Sequence, residues 1–117
     1  MTRHVVCRVD ELPEGGRRIV DLGGRSIGVF RVDGRYYAVR NVCPHMGAPL
    51  CLGTIGGTML PSEPHTYVYG LENRILRCPW HGYEFDLETG RPPFGTFPLR
   101  VRTYPVRVEG EELVVEA

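Results

Sequence analysis

The chain is predicted to fold as an all-β domain, and three observations predict it. Fifteen glycines and ten prolines make up more than a fifth of the 117 residues. They punctuate short apolar runs instead of gathering into a low-complexity tract, which is the pattern of many strands joined by turns. No segment of useful length carries a helical period. Strands of this number and length form a β-sandwich or a small barrel. The length suits a single domain over residues 1–117, which buries roughly two-thirds of its unfolded surface and so holds one core unaided.

Val5 to Val9 reads as the first strand and Leu12 to Gly16 as a turn. Arg18 to Leu22 and Ile27 to Val32 are β runs separated by Gly23-Gly24. Asp33-Gly34 stands between Val32 and the run Arg35 to Val39, and predicts a tight hairpin whose two central residues take positive φ. From Asn41 to Gly57 the chain turns rich in Cys, Pro, His and Gly. Met59 to Glu72 reads as polar and irregular, apart from a short strand at Tyr67 to Tyr69. Arg74 to Arg77 and Tyr83 to Leu87 are strand-like and flank a second Cys/His loop. Arg91 to Pro98 is a Pro/Gly/Phe loop. Leu99 to Glu109 and Leu113 to Glu116 read as a closing strand pair around Gly110.

Fourteen basic and fourteen acidic residues cancel. That balance argues against nucleic acid or an anionic membrane as partner, and leaves partner choice to local surface. No stretch approaches the roughly 18 apolar residues of a membrane span. Met1 to Asp10 lacks the apolar core of a signal peptide. The expected compartment is therefore cytoplasmic, where thiols stay reduced and four cysteines are better read as metal ligands or core residues than as disulfides.

Two loops carry the chemistry: Cys43-Pro44-His45-Met46-Gly47 and Cys78-Pro79-Trp80-His81-Gly82. Each offers one thiol and one imidazole. In each, a proline stiffens the path from the cysteine and a glycine allows close backbone approach to a metal centre. Two such loops can clasp a two-iron unit from opposite sides, with the thiolates on one iron and the imidazoles on the other. Zinc also accepts two thiolates and two imidazoles, but its usual spacing pairs Cys with Cys and His with His. A zinc-binding interaction module is the weaker alternative.

The C-x-H and C-x-x-H pattern, with the run Cys78 to Gly90 and the strands before Cys43, resembles the Rieske [2Fe–2S] domain family over nearly the whole chain. The resemblance implies a Rieske-type sandwich or small barrel, with a cluster-binding subdomain at about residues 41–95. It implies a [2Fe–2S] cluster held by Cys43 and Cys78 on an inner iron and by His45 and His81 on an outer, exposed iron. Neutral imidazoles leave the oxidised site uncharged, so it takes up an electron more readily than an all-cysteine cluster. High-potential respiratory members bridge their loops with a disulfide at the positions of Ala48 and Trp80. They also set serine and tyrosine hydroxyls at the positions of Tyr83 and Phe85. Neither the disulfide nor the second hydroxyl is possible here, so a potential toward the low end of the family's range of roughly −150 to +300 mV is expected.

The implied role is a ferredoxin-type one-electron carrier between a flavin-dependent reductase and a terminal oxygenase or similar redox enzyme, not a catalyst by itself. No histidine follows His81, and only His4 and His65 stand elsewhere, so a mononuclear oxygen-activating iron is not expected. The alternative of another class is a fixed small subunit of a larger redox complex, as in nitrite reductase-like enzymes. Thirty-two residues separate His45 from Cys78, which marks about Thr54 to Glu72 as an insertion. Pro92 to Gly95 resembles the loop that shields the cluster. Met46, Pro49, Pro79 and Trp80 suit an apolar collar, with core packing the other role open to Trp80. His65 reads as a surface loop residue. Cys7 reads as a small buried hydrophobe. Cys51, near the first loop, is most simply not a ligand, with a redox-sensing role as the lesser alternative.

Overall fold

The computed structural model describes residues 1–60, 64, 68–94 and 99–117. Among these residues ten strands form three antiparallel sheets: β1 (Arg3–Arg8), β10 (Glu112–Glu116) and β9 (Val106–Glu109); β2 (Arg17–Leu22), β3 (Arg25–Val32), β4 (Arg35–Arg40) and β8 (Thr103–Tyr104); and β5 (Thr54–Leu60), β6 (Val68–Arg77) and β7 (Glu84–Asp86). Among the described residues the only helices are single 3₁₀ turns at Val9–Glu11 and Leu50–Leu52. The all-β expectation holds.

The β3–β4 hairpin is the wall between two cores. Successive side chains on a strand point to opposite faces, and here both faces are covered. Ile27 and Val29 of β3 pack with Ala38, Leu113 and Val115 in one core. Phe30 and Val32 of the same strand pack with Val39, Cys43, Cys78 and Phe85 in the other. The turn joining the two strands is the tight one read from Asp33-Gly34, with φ of +52° and +74°. The Glu14 carboxylate accepts hydrogen bonds from the amides of Asp33 (2.8 Å) and Gly34 (2.6 Å) and so closes that turn from outside.

The first core lies under the β1–β10–β9 sheet, whose rim is tied by charge. Glu109 takes Arg3 at 2.6 Å and Arg107 at 2.5 Å, linking β1 to β9. Hydrogen bonds from both guanidiniums pull the Glu109 carboxyl down to about 2. Its folded-state value thus lies below its unfolded value of about 4.5. The tie is then fully present above the unfolded value and is lost as pH falls toward the folded one. Glu109→Gln is expected to lower the urea midpoint at pH 6 in low salt. The gap to the parent should close with acidification through that window and shrink with added salt. Urea titrations at several pH values check this.

Two strand expectations need correction. The stretch from Met59 to Glu72, read as polar and irregular apart from a short strand, contains the end of β5 and the first half of a ten-residue β6. The register runs Thr54↔Arg77 to Gly56↔Ile75 and resumes at Thr58↔Gly70, so four residues of β6 bulge out opposite Gly57. Leu71 and Asn73 take positive φ in that bulge, and Asn73 Nδ2 reaches both carboxylate oxygens of Asp33 at 3.3 Å. The bulge therefore docks the third sheet on the β3–β4 turn. Of the short strand read at Tyr67 to Tyr69, Tyr67 lies outside the described residues. The run Leu99 to Glu109 is not one strand either. Pro105, which has no amide to donate, separates β8 from β9, and each joins a different sheet.

Candidate metal centre

The two Cys/His loops fold as near copies of each other. The Gly47 amide donates to Cys43 O at 2.8 Å, and the Gly82 amide donates to Cys78 O at 3.1 Å. The Cys43 amide donates to Ala48 O and the Cys78 amide to Tyr83 O, both at 2.8 Å. Each glycine sits four residues past its cysteine at positive φ, +77° and +72°, where a Cβ is disfavoured. One turn geometry thus presents both cysteines and both histidines, although the histidines stand at different distances along their loops.

The four side chains divide into two pairs. Cys43 and Cys78 are buried, at 1% and 3% exposure, and their thiols are neighbours in one core. Burial and the neighbouring sulfur push the Cys43 thiol up, while backbone amides of His45 and Met46 pointing at it pull it down. Sulfur facing amide donors is an environment built for a thiolate. The imidazoles form the outer pair, with ring centroids 5.3 Å apart at 85°. His45 is half-buried and stacks on Tyr83 at 4.2 Å, and His81 is exposed. His45 Nδ1 is buried without a hydrogen-bond partner among the described residues. A buried orphan nitrogen is costly unless something coordinates it, so the residues fit a metal centre lying between the two pairs. Among the described residues, no three Cys, His, Asp or Glu side chains converge to hold a single ion. An arrangement of one thiol pair and one imidazole pair suits two metal ions better than one tetrahedral zinc.

The roots of the loops are clamped by residues that the sequence reading passed over. A Cβ on Gly53, just past the first loop, would lie 1.8 Å from the carbonyl oxygen of Arg77, the residue before Cys78. Arg17 Nη1 donates to Cys51 O at 2.9 Å and to Gly53 O at 2.5 Å, while its guanidinium lies 5.2 Å from the Phe30 ring centre. Asn41 Oδ1 accepts the Cys51 amide at 2.8 Å. Arg77 pairs with Glu84 across β6 and β7, and Glu84 also accepts from Thr58 Oγ1 at 2.7 Å.

Cys51 has the surroundings of a core thiol, and burial weighs against its redox-sensing alternative. Its side chain is wholly inaccessible, and Sγ donates to Val39 O at 3.4 Å. Gly28 leaves it room, since a Cβ there would lie 2.5 Å from Sγ. Burial pushes the thiol up to about 12, where the reactive thiolate is scarce. In folded protein Cys51 is expected to resist iodoacetamide at mildly alkaline pH and to react fully in urea, as peptide mass spectrometry would show. Cys7 is likewise buried, in the first core.

Each loop histidine has an exposed apolar neighbour in the chain. Met46 is 60% exposed and Trp80 57%, which settles Trp80 as a surface residue and not a core one. Pro79 is exposed and Pro49 half-buried. Pro92 and Pro93 are half-buried and Phe94 is exposed. Gly95, the last residue of the expected shield, lies outside the described residues, as does His65.

A sequence profile of the Rieske [2Fe–2S] domain matches residues 2–105. The ferredoxin component of the naphthalene 1,2-dioxygenase system of Pseudomonas aeruginosa is 30% identical over 106 residues, covering 91% of this chain and 86% of its own. Among solved structures, the ferredoxin of carbazole 1,9a-dioxygenase from Nocardioides aromaticivorans aligns with a TM-score of 0.75 and 31% identity, over 98% of this chain and 97% of that one. A chain of the complex of reduced oxygenase and oxidized ferredoxin in carbazole 1,9a-dioxygenase aligns with a TM-score of 0.73 and 26% identity, over 97% of this chain and 91% of its own.

Proposed function

The chain belongs to the Rieske [2Fe–2S] domain family, and on that premise we propose that it is a one-electron carrier that receives an electron from a flavin-dependent reductase and delivers it to an oxygenase or similar redox enzyme. Cys43, Cys78, His45 and His81 are the residues that would hold the cluster. When bound, the cluster supplies reversible one-electron chemistry with no substrate site of its own. The observation that carries the reading is the split of donors between a buried thiol pair and a surface imidazole pair.

The protein's own part is positional. The amides of His45 and Met46 steady the inner sulfur. Tyr83 fixes the plane of the His45 ring. The apolar residues Met46 and Trp80 line the approach to the imidazoles and let a partner exclude water there. Such docking is transient and small, on the order of 1,200 Å² or less. Among the described residues no helix is long and apolar enough to cross a membrane, and we place the carrier in the cytoplasm.

Anaerobic purification tests the reading. Two irons and two sulfides per chain, a reddish-brown colour and an EPR signal only on reduction are expected. Colourless protein with stoichiometric zinc would replace the electron carrier with a structural metal site. The potential should fall below zero, because Phe85 offers no hydroxyl and Ala48 and Trp80 cannot form a disulfide. A value well above zero would contradict that part of the account.

A further inference from the structure

The neutral total charge hides an uneven distribution. All fourteen basic residues are arginine. Those on the β1–β10–β9 rim are paired: Arg3, Arg8 and Arg107 with Glu109, Asp10, Glu111 or Glu116. Eight arginines have no carboxylate within 4.0 Å among the described residues, and four of them, Arg40, Arg91, Arg100 and Arg102, lie on neighbouring stretches of backbone. The acidic side chains closest to Arg91 in the chain, Glu88 and Asp86, are both engaged by Arg74, at 3.2 and 2.8 Å.

The backbone brings these four near one another, beside the core that contains Cys43 and Cys78. The Arg40 amide donates to Arg102 O at 2.9 Å, and the Val101 amide donates to Gly90 O at 2.8 Å, next to Arg91. Val101 is buried in the same core as Cys43 and Cys78, which fixes Arg100 and Arg102 on either side of it. Gly90 permits the contact, since a Cβ there would lie 2.1 Å from Val101 O. A polar cleft of about 530 Å³ opens between Thr89 and the run Arg100 to Thr103. Arg91, Arg100 and Arg102 are exposed, and Arg40, half-buried, is three residues from Cys43.

We propose that this arginine patch is an electrostatic docking surface for a redox partner that presents carboxylates beside its own electron entry. The inference rests on the electron-carrier reading and adds the partner's chemistry. Planar guanidiniums without an internal carboxylate are suited to paired contacts with carboxylates, and Arg102 is otherwise held only by the Tyr104 ring face, 5.7 Å from its centre. Their nearness to the cluster loops would bias encounters toward orientations in which the imidazoles face the partner. Because the chain as a whole is uncharged, the attraction acts locally, over about a Debye length. That favours a shaped acidic protein face over an extended polyanion.

The test uses reduced holo-protein and oxidants of opposite charge, each taking one electron. Ferricyanide should oxidise it more slowly as salt is added, and hexaamminecobalt(III) more quickly. The variant R91E/R100E/R102E should reverse both salt slopes while leaving the visible and EPR spectra unchanged. Reduction of acidic cytochrome b5 should fall by about tenfold or more in that variant at low salt, and reduction of basic cytochrome c should rise. The R91Q/R100Q/R102Q variant should lie between, and it carries the test if charge reversal impairs folding. Salt slopes of the same sign for both oxidants, or equal cytochrome b5 rates for parent and variants, would overturn the patch. So would arginine-dependent flotation with vesicles of phosphatidylcholine and phosphatidylserine, which would reassign it to a membrane surface. Protein that holds no iron fails at the earlier step, and so separates loss of the carrier reading from loss of this one.

Discussion

Exchanging both His45 and His81 for cysteine is expected to lower the reduction potential by about 250 mV or more, from the Rieske range toward the −400 mV of all-cysteine clusters. The reason is charge. With two thiolates and two neutral imidazoles the oxidised centre carries no net charge, whereas four thiolates give it two negative charges before any electron arrives. The structure offers room for the exchange. His81 is exposed, and His45 meets the broad face of Tyr83, so a smaller side chain creates no clash at either position. The double variant, reconstituted with iron and sulfide, should hold two irons per chain and show its shifted midpoint in an EPR-monitored titration. Retention of the cluster with an unmoved midpoint would remove both histidines from the ligand set. A single His81→Ala exchange should lose the cluster or leave it labile, with bleaching on gel filtration as the readout. The same exchange at His4, on β1, should leave colour and midpoint unchanged.

The loops were legible because their chemistry is written in adjacent residues. Cys43 with His45 and Cys78 with His81 each lie within one short turn, and the glycine that closes each turn follows at once. The β3–β4 hairpin was legible for the same reason: Asp33-Gly34 is a local signal with a local consequence. The β5–β6 hairpin was not. Gly56 and Gly57 offer no side chains to alternate, Met59 and Tyr69 are exposed partners in the register, and the bulge at residues 71–74 breaks the period. Its order comes from contacts distant in sequence, such as Asn73 to Asp33 and the Tyr69 hydroxyl, which accepts the Gly57 amide at 2.7 Å. Pro105, by contrast, did mark the break between β8 and β9 in the sequence. A run from Leu99 to Glu109 carries a residue that a continuous paired strand excludes. The clamp on the loop roots left no local trace. Arg17 is 34 residues from Cys51, and nothing around Gly53 shows that a carbonyl will press against it.

That clamp gives the second large expectation, which concerns assembly and not electronics. Gly53 has an ordinary φ of −73°, so its backbone conformation does not require glycine. Its neighbour does. A methyl group there would stand 1.8 Å from the Arg77 carbonyl oxygen and 3.0 Å from that of Leu50, and backbone cannot yield as a flexible side-chain tip can. Gly53→Ala therefore forces the start of β5 away from the end of β6, at the pair Thr54↔Arg77. Because Gly53 ends the first loop and Arg77 begins the second, the displacement separates the two roots that bring the cysteine thiols into one core. Overpacking of this kind costs about 3 kcal/mol or more, which for a domain of this size lowers the melting temperature by roughly 10 °C. The cost should fall unevenly, with iron content per chain dropping along with stability. Gly110→Ala is the control: a Cβ there meets nothing within 4 Å, and its φ of +62° sets a backbone cost of only about 1 kcal/mol. It should melt slightly lower while keeping its full iron. Equal iron loss in the two variants would mean that the centre responds to general stability. Loss confined to Gly53→Ala would mean that the two loops form one site only while their roots touch.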